Sequence, residues 1–557
     1  MKKISRSDIW SGIILVLAVF IAYLPALGGG FIWDDDSYIT QNPTLRSPHG
    51  FWQIWFQIDA VPRSQYYPLV YSVFWLEFHL WGLHPLGYHL VNILLHAFGS
   101  LLLWRVLARV QVPGAWLAAM LFGLHPVHVE SVAWATECKN VLSAVFYFSA
   151  ALLYLRYAET CEAGPANRRQ WQWYGGALVL FAAALLSKTV TCSLPAALLL
   201  LTWWKKGRIS WKATLPLLPF FVIGAGMGLL TGWIEKHQVG AQGADWSFSF
   251  ADRCLIAGRA LWFYAAKLLW PAHLTFMYPR WEISASAWWQ WMFPSGMLAM
   301  IISLWLVRKR IGRGPLVALL FFAGTLFPAL GFADVYPMRY SFVADHFQYL
   351  ASVGLLALAA AGLSRLPLRI TMVLVVALGV LTWRQTEIYR SLETLWRDTL
   401  AKNPACWMAQ SNLGSVLLAQ GNLAEAETHF RAALQLKPDS EDIHYNYGNM
   451  LGRAGRPDEA VTQFRQALQL NPTDAQAYHD LGIALYQEHR LDEAIACFRR
   501  ALCYQPDYAD AHYNLGNALV LEYKFDEAAR EYREALRLEP DSVDIKNRLR
   551  ALGVPTN

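Results

Sequence analysis

Charge is scarce in this chain: Asp, Glu, Lys and Arg make up 16% of its 557 residues, against about 25% in an ordinary soluble domain. Cysteine is sparse too. The seven (Cys138, Cys161, Cys192, Cys254, Cys406, Cys497 and Cys503) form no Cys-x-x-Cys pair and show no metal-ligand spacing, which argues against a zinc site or a disulfide framework. Cys497 and Cys503 fall on one repeat helix, a poor geometry for a bridge. The formal net charge, +6, is small for the length and does not suggest nucleic acid as a partner. What fills the chain instead is apolar: 55% hydrophobic residues and 26 tryptophans. A soluble core cannot hide that much apolar surface, whereas a bilayer can. The residues are unevenly placed. Long apolar runs dominate before about Tyr389, and a polar, amphipathic sequence follows.

The first half reads as polytopic. A cationic Met1–Arg6 precedes the apolar run Ile9–Leu27, which reads as a signal-anchor. Further runs are Gly87–Ala108, Val110–His125, Asn140–Tyr157, Trp173–Ser187, Thr189–Trp204, Ala213–Gly232, Trp289–Val307, Gly314–Gly331, Leu350–Leu363 and Leu368–Thr386. Val110–His125 and Leu350–Leu363 fall short of the roughly 20 residues a span needs.

Cations fix the orientation. Lys2/Lys3/Arg6, Arg105/Arg109, Arg156 with Arg168/Arg169, Lys205/Lys206/Arg208/Lys212, Arg308/Lys309/Arg310/Arg313 and Arg365/Arg369 fall at alternate loops. Placing them in the cytoplasm predicts about eleven spans with a cytoplasmic N-terminus. That parity requires Cys254–Trp270, with Arg253, Arg259 and Lys267 among its aromatics, to lie on the outer face as an interfacial helix. Gly28–Leu86, Pro126–Lys139, Trp233–Trp288 and Phe332–Tyr349 are then the outer loops, and the C-terminal half lies outside as well.

That half is a repeat array. Pro404, Pro438, Pro472, Pro506 and Pro540 recur every 34 residues. Leu413-Gly414, Tyr447-Gly448, Leu481-Gly482 and Leu515-Gly516 lie in the first helix of each unit. Glu425-Ala426, Glu459-Ala460, Glu493-Ala494 and Glu527-Ala528 open the second, with Phe430, Phe464, Phe498 and Tyr532 further along it. This is the tetratricopeptide period. The predicted organisation is all-α: a polytopic membrane domain over 1–388, then a tetratricopeptide α-solenoid over 389–557 with repeats 404–437, 438–471, 472–505 and 506–539. Asp541–Gly553 supplies a cap. Trp396 stands 34 residues before Phe430, so Ser391–Lys402 reads as the second helix of a partial repeat, joined to the last span without a Gly/Pro/Ser linker. The row Asn412, Asn446, Asp480 and Asn514 should line the concave wall. It can pair with an extended peptide backbone, or simply be a consensus polar position.

Polar residues beside membrane spans are functional candidates, and here they gather at the outer loops. Asp34-Asp35-Asp36 follows the first span: three adjacent carboxylates repel one another and can yield a general base, or form a solvated turn or helix cap. His125, His128 and Glu130 lie in the second outer loop, followed by Trp134, Glu137, Lys139 and Asn140. The His-x-x-His-x-Glu spacing is a loose ligand set with a proline inside it, so a divalent metal is not favoured and no metal ligand is assigned. Lys188 sits between two spans where a cation can hold a lipid phosphate. Arg339, Asp345 and His346 come from the last outer loop. Cations for phosphate, aromatics for sugar and an acid for a hydroxyl proton suit a lipid-phosphate sugar donor.

The Phe31-Ile32-Trp33-Asp34-Asp35 start, His125-Pro126-Val127-His128-Val129-Glu130, Val343-Ala344-Asp345-His346-Phe347-Gln348-Tyr349-Leu350 and the repeat array together resemble the transmembrane and tetratricopeptide repeat-containing O-mannosyltransferases and their bacterial relatives. The resemblance implies a GT-C glycosyltransferase fold with its active site at the periplasmic or lumenal surface. It also implies a polyprenyl- or dolichyl-phosphate monosaccharide donor and a protein acceptor presented by the repeats. The presumed catalytic pair carries over to Asp34 and Asp35. Asp36 is an extra acid, His346 stands where animal members often have arginine, and Lys139-Asn140 and Lys188-Thr189 lack the acid that animal members place next to each lysine. These departures point to a bacterial type, in an inner membrane. Two other readings use the same features: a membrane-anchored scaffold without catalysis, and a lipid-linked glycan ligase or polymerase.

Overall fold

The computed structural model describes residues 5–58, 65–163, 168–241, 243 and 246–555; Lys2 and Lys3 of the first cationic cluster lie outside them. Among the described residues every regular element is helical. The chain divides into two units, Met1–Asp398 and Thr399–Asn557.

The first unit is built from α1 (Arg6–Ala22), α2 (Pro68–Trp81), α3 (Pro85–Arg109), α4 (Ala115–Leu124), α5 (Cys138–Ala163), α6 (Arg168–Leu185), α7 (Leu194–Lys206) and α8 (Leu218–Ile234). It continues with α9 (Phe250–Leu269), α10 (Met292–Ile311), α11 (Gly314–Leu326), α12 (Ser352–Leu363), α13 (Leu368–Ile388) and the start of α14 (Leu392–Lys402). Helix starts follow ordinary rules. Ser5 and Asp8 form a capping box on α1, Ser249 and Asp252 do so on α9, and prolines open α2 and α3.

Among the described residues five helical stretches are long and apolar enough to cross a membrane: Pro85–Arg109, Ala135–Glu162, Trp211–Val239, Trp288–Ile311 and Leu368–Ile388. Their outward side chains are apolar, with Leu229 78% exposed, a surface suited to lipid and not to water. Shorter apolar helices, Ala115–Leu124, Gly314–Ala329 and Ser352–Leu363, stand between them. The chain is an integral membrane protein. The run Val110–His125 shortens to α4 because the chain turns first, with positive φ at Gln111 and Gly114. At Gly114 a side chain would meet the Ala360 carbonyl oxygen at 2.7 Å.

Helix ends alternate between two faces. On one, Gly30 N–H donates to the Arg390 carbonyl (3.0 Å) and the Asn140 amide to the His346 carbonyl (3.2 Å). On the other, Arg109 pairs with Glu159, Lys206 with Glu162, and the Arg313 guanidinium adjoins Gly207. Helix α9 does not pass between them. Near its start Arg253 donates to the Gly331 carbonyl (2.6 Å) and to Asp334 (2.8 Å); at its end the Leu268 carbonyl meets His125 Nε2 (3.0 Å). Both ends therefore touch loops of the first face. Its cations face protein: Arg259 lies 4.5 Å from the Trp281 ring centroid, and Lys267 donates to the Ala272 and His273 carbonyls.

One part of this unit was not foreseen. The stretch Gly28–Leu86, expected as a loop, holds α2 and short helices at Pro43–Arg46 and Gly50–Phe56. Val70, Tyr71, Phe74 and Glu77 of α2 are buried while Leu76 and Leu80 are exposed. Apolar residues occupy both sides, and at 14 residues the helix is too short to read as a span.

In the second unit, helix pairs begin at Trp407 and Leu423, Glu441 and Pro457, Ala475 and Leu491, and Ala509 and Phe525, and Val543–Ala551 follows. Cys497 and Cys503 are separate thiols on one helix. The small residue of each first helix is set by its aromatic partner. A Cβ on Gly482 would stand 2.6 Å from Phe498 Cε1, closer than packed carbons approach. Gly482→Val should therefore overpack this seam and destabilise the array by about 1–3 kcal/mol, read as a lower melting temperature of the full chain. An unchanged melt would remove this account of the repeat glycine.

Candidate functional site

Three acids follow α1, and the fold gives each a different setting. Trp33 has a φ of 48°, a conformation costly for a bulky side chain. Its ring is held edge-on by Trp396 (centroids 5.2 Å) and Phe276 (6.3 Å). Asp35 points inward and is fully buried. One of its oxygens accepts from Ile32 N–H (2.8 Å), and the other from Thr136 N–H (2.8 Å) and the Thr136 hydroxyl. Burial pushes this carboxyl up to about 7, against those hydrogen bonds. Asp36 is exposed, its side chain accepting from Thr40 Oγ1 (3.0 Å).

Asp34 is half-buried, and no hydrogen bond reaches its carboxylate from a described residue. Burial pushes it up to about 6; Lys139 and His346 pull the other way, while Glu137 adds to the rise.

Facing Asp34 is a network centred on Glu137, which is 1% exposed. Lys139 Nζ lies 2.8 Å from one of its oxygens and Lys188 Nζ 3.5 Å from the other. Lys188 also donates to Asn140 Oδ1 (2.7 Å); burial lowers this ammonium to about 8, with Glu137 opposing. The Asn140 amide donates to Glu137 and to the His346 carbonyl. His346 is clasped by Glu130, with Nδ1 at 2.9 Å from one oxygen and the backbone N–H donating to the other at 3.1 Å. Since Nδ1 is committed, Nε2 is the ring atom left for a ligand. Aromatics line the same place: Lys139 Nζ stands 5.4 Å from the Tyr38 ring centroid and 5.9 Å from that of Trp134, and Trp134 meets His346 edge-on. Glu235 is tied in through Gln65 (2.7 Å), which accepts from the Tyr38 hydroxyl (3.0 Å).

The structure thus gathers Asp34, Glu130, Lys139, Lys188 and His346 from four separate stretches. Asp345 is buried beside them and accepts from the Tyr278 hydroxyl (3.1 Å). Arg339 lies on the turn Tyr336–Arg339, half-buried, its guanidinium 5.9 Å from the Tyr340 ring centroid. His125 and His128 do not join the group. His125 Nε2 meets the Leu268 carbonyl and its Nδ1 accepts from Val127 N–H (3.4 Å). His128 bonds the Phe122 carbonyl (2.7 Å) and Ser352 Oγ (3.0 Å). With both ring nitrogens occupied and the rings buried, the two tie helices together. Among the described residues no cluster of three or more His, Cys, Asp or Glu side chains has a metal-holding arrangement.

Sequence reasoning assigned no role to Thr136 or Tyr38, and quoted Glu137 and Asn140 without one. The spacing of Glu137, Lys139 and Asn140 at the start of α5 was the available signal.

In the second unit, Asn412, Asn446, Asp480 and Asn514 are half-buried on first helices. Asn412 donates to the Met408 carbonyl (2.8 Å). Asp480 accepts from Tyr445 (2.7 Å) and contacts His479 (2.8 Å), whose other nitrogen meets Asn514 (3.0 Å).

Residues 63–227 match a family model described as dolichyl-phosphate-mannose-protein mannosyltransferase, and tetratricopeptide models match 406–473, 445–502, 484–521 and 509–542. The chain is 25% identical over 459 residues to a protein O-mannosyl-transferase of Caenorhabditis elegans, covering 77% of this chain and 63% of that protein. It is 36% identical over 193 residues to protein O-mannosyl-transferase Tmtc2 of Drosophila melanogaster, covering 32% and 20%. It therefore spans less than two thirds of these curated relatives. Among solved structures, the repeat protein YrrB covers 32% of the chain at 25% identity, with a TM-score of 0.27.

The Asp35–Thr136 clamp makes its own prediction. Asp35→Asn keeps the volume but sets an amide NH₂ against an N–H donor of Ile32 or Thr136. The clash should cost about 1–3 kcal/mol and appear as a lower melting temperature in detergent. Equal melting of the two proteins would show that the clamp does not hold the loop.

Proposed function

We propose that the chain, similar to protein O-mannosyl-transferases in sequence and in its pairing of a mannosyltransferase-type membrane half with tetratricopeptide repeats, transfers a mannosyl-type sugar from a polyprenyl-phosphate donor to a protein hydroxyl. The observation that carries this is the division between two adjacent acids. Asp35 is saturated by three donors, while Asp34 stands open beside Lys139 and His346. Asp34 is thus the base and Asp35 the residue that positions it.

In the reaction, the acceptor oxygen attacks the anomeric carbon as its proton passes to Asp34 and the bond to the donor phosphate breaks, with inversion. The departing polyprenyl phosphate keeps the electron pair, and its charge is taken up by Lys139, Lys188 and His346 Nε2. Trp134 and Tyr38 give the sugar apolar faces. Arg339 and Asp345 belong to the loop that brings His346, and Arg339 offers a further cation to the donor. No metal is needed for any step so written.

From the alternation of cationic loops we place this face and the repeats on the non-cytosolic side of an eleven-span protein, the inner membrane in a bacterium. The repeats recruit the acceptor. Asn412 and Asn446 are the better candidates for a peptide backbone, because Asp480 and Asn514 already serve the His479 network.

Purified protein, labelled polyprenyl-phosphate mannose and a peptide acceptor provide the test. Asp34→Asn should lower transfer by about 10²- to 10⁴-fold. A base must be ionised, so the wild-type rate should rise with pH through about 6, the value to which burial brings Asp34, and that limb should vanish in the variant. Free polyprenyl phosphate should appear only with acceptor present. A folded Asp34→Asn protein working at the full rate would refute the base assignment; no release under any condition would favour a scaffold.

A further inference from the structure

Away from the acid face, α3, α5, α7, α11 and α12 enclose a cavity of about 450 Å³. It follows α7 from Leu194 to Trp204 and α12 from Val353 to Gly362, with Arg365 just beyond that helix. At 1.5 Å per residue this is a run of roughly 14–15 Å, about half the ~30 Å hydrocarbon core of a bilayer. Leu103, Phe148, Leu198 and Phe321 typify a wall that is apolar almost throughout, and no acidic side chain lines it among the described residues. A slot of this size is within the range of small-molecule sites, but it lacks the convergent polar groups that would orient a polar ligand.

Its mouth has the opposite character. Arg365 lines the cavity at the end of α12 and is exposed, without an ion pair to any described residue. Trp204 and Gly314 line the same end. Lys205 Nζ stands 4.2 Å from the Trp204 ring centroid, and Arg313, next to Gly314, turns its guanidinium toward Gly207. One cation therefore lines, and two more adjoin, the same end of an apolar slot about one leaflet deep. Basic pockets between membrane helices on such a face recognise anionic headgroups.

We propose that this cavity is a binding site for an anionic phospholipid of the leaflet opposite the acid face, with its phosphate on Arg365 and one acyl chain between α7 and α12. The sugar donor is not the occupant. Lys139 and Lys188 lie at the other ends of α5 and α7, so a phosphate held there is separated from the Arg365 mouth by the depth of the slot. The site serves to fill a gap that packed helices would otherwise leave empty, and its occupancy does not depend on the transferase reading.

Native mass spectrometry of the full chain from mixed phosphatidylglycerol and phosphatidylcholine micelles tests this. Wild-type protein should retain one phosphatidylglycerol in preference to phosphatidylcholine. Arg365→Gln, at an exposed position where folding is not at stake, should reduce that preference about fivefold. Ala357→Phe, which fills the slot, should lose the retained lipid whichever headgroup it carries. Equal retention of the two lipids by wild type, an unchanged preference in Arg365→Gln, or retention of polyprenyl phosphate alone would each overturn the proposal. Should Ala357→Phe not fold, Arg365→Gln decides alone.

Discussion

A single buried carboxylate organises the acid face. Glu137 is 1% exposed and lies within ion-pair distance of two lysines. An isolated charge at that depth would cost several kcal/mol in lost hydration, and so would either ammonium without it. One anion against two cations still leaves an excess of positive charge, and that excess must look outward. It finds Asp34 on one side; a phosphate would satisfy it equally well. Asn140 completes the arrangement by donating to Glu137, accepting from Lys188 and reaching the His346 carbonyl. Three loops are thereby locked to the start of one membrane helix.

Neighbouring residues of identical chemistry diverge because the backbone turns between their surroundings. The positive φ at Trp33 aims Asp35 inward at Thr136 and leaves Asp34 beside Lys139 and His346. What separates them is access and not desolvation, which raises Asp35 further than Asp34. The Asp35 oxygens already accept from three donors, whereas the Asp34 carboxylate accepts from none among the described residues and is open to an incoming hydroxyl. The same logic applies to His346, where Glu130 fixes one nitrogen and so defines which edge of the ring faces outward.

What could be read from the sequence follows the reach of each signal. The repeats were legible because their contacts are local: Gly482 meets Phe498, sixteen residues on, and the pattern recurs every 34. Helix Phe250–Leu269 was set apart from the other apolar runs because three cations interrupt it. Pro68–Trp81 was not, since it buries Glu77 and exposes Leu76 and Leu80, the reverse of what hydropathy expects. His125 and His128 resembled site residues by type and spacing. Their partners are carbonyls and a hydroxyl set by the tertiary fold, among them Leu268 and Ser352, which spacing cannot reveal. Glu137 was visible as an acid in the right loop, but its role depends on Lys188, some fifty residues away on another helix. Gathering the acids and cations on one face was within reach of topology; the different hydrogen bonding of Asp34 and Asp35 was not.

The boundary between the two halves is a physical matter as well as one of composition. Trp396 occupies the wedge position of a repeat helix by the 34-residue period, yet it belongs to the first unit, fully buried against Trp33 and Phe276. Arg390, just before it, accepts from Gly30 N–H, so the exit of the last membrane helix is bonded to the segment leading into the acids. Aromatic burial of this kind contributes about 0.5–1.5 kcal/mol per pair beyond area, enough to bias a backbone conformation whose own strain is of order 1–3 kcal/mol. The unfavourable turn at Trp33 is therefore held from outside its own loop, by a residue whose sequence position marks it as part of the repeats. An acid loop supported in this way makes the start of α14 a structural requirement of the site and not merely a tether.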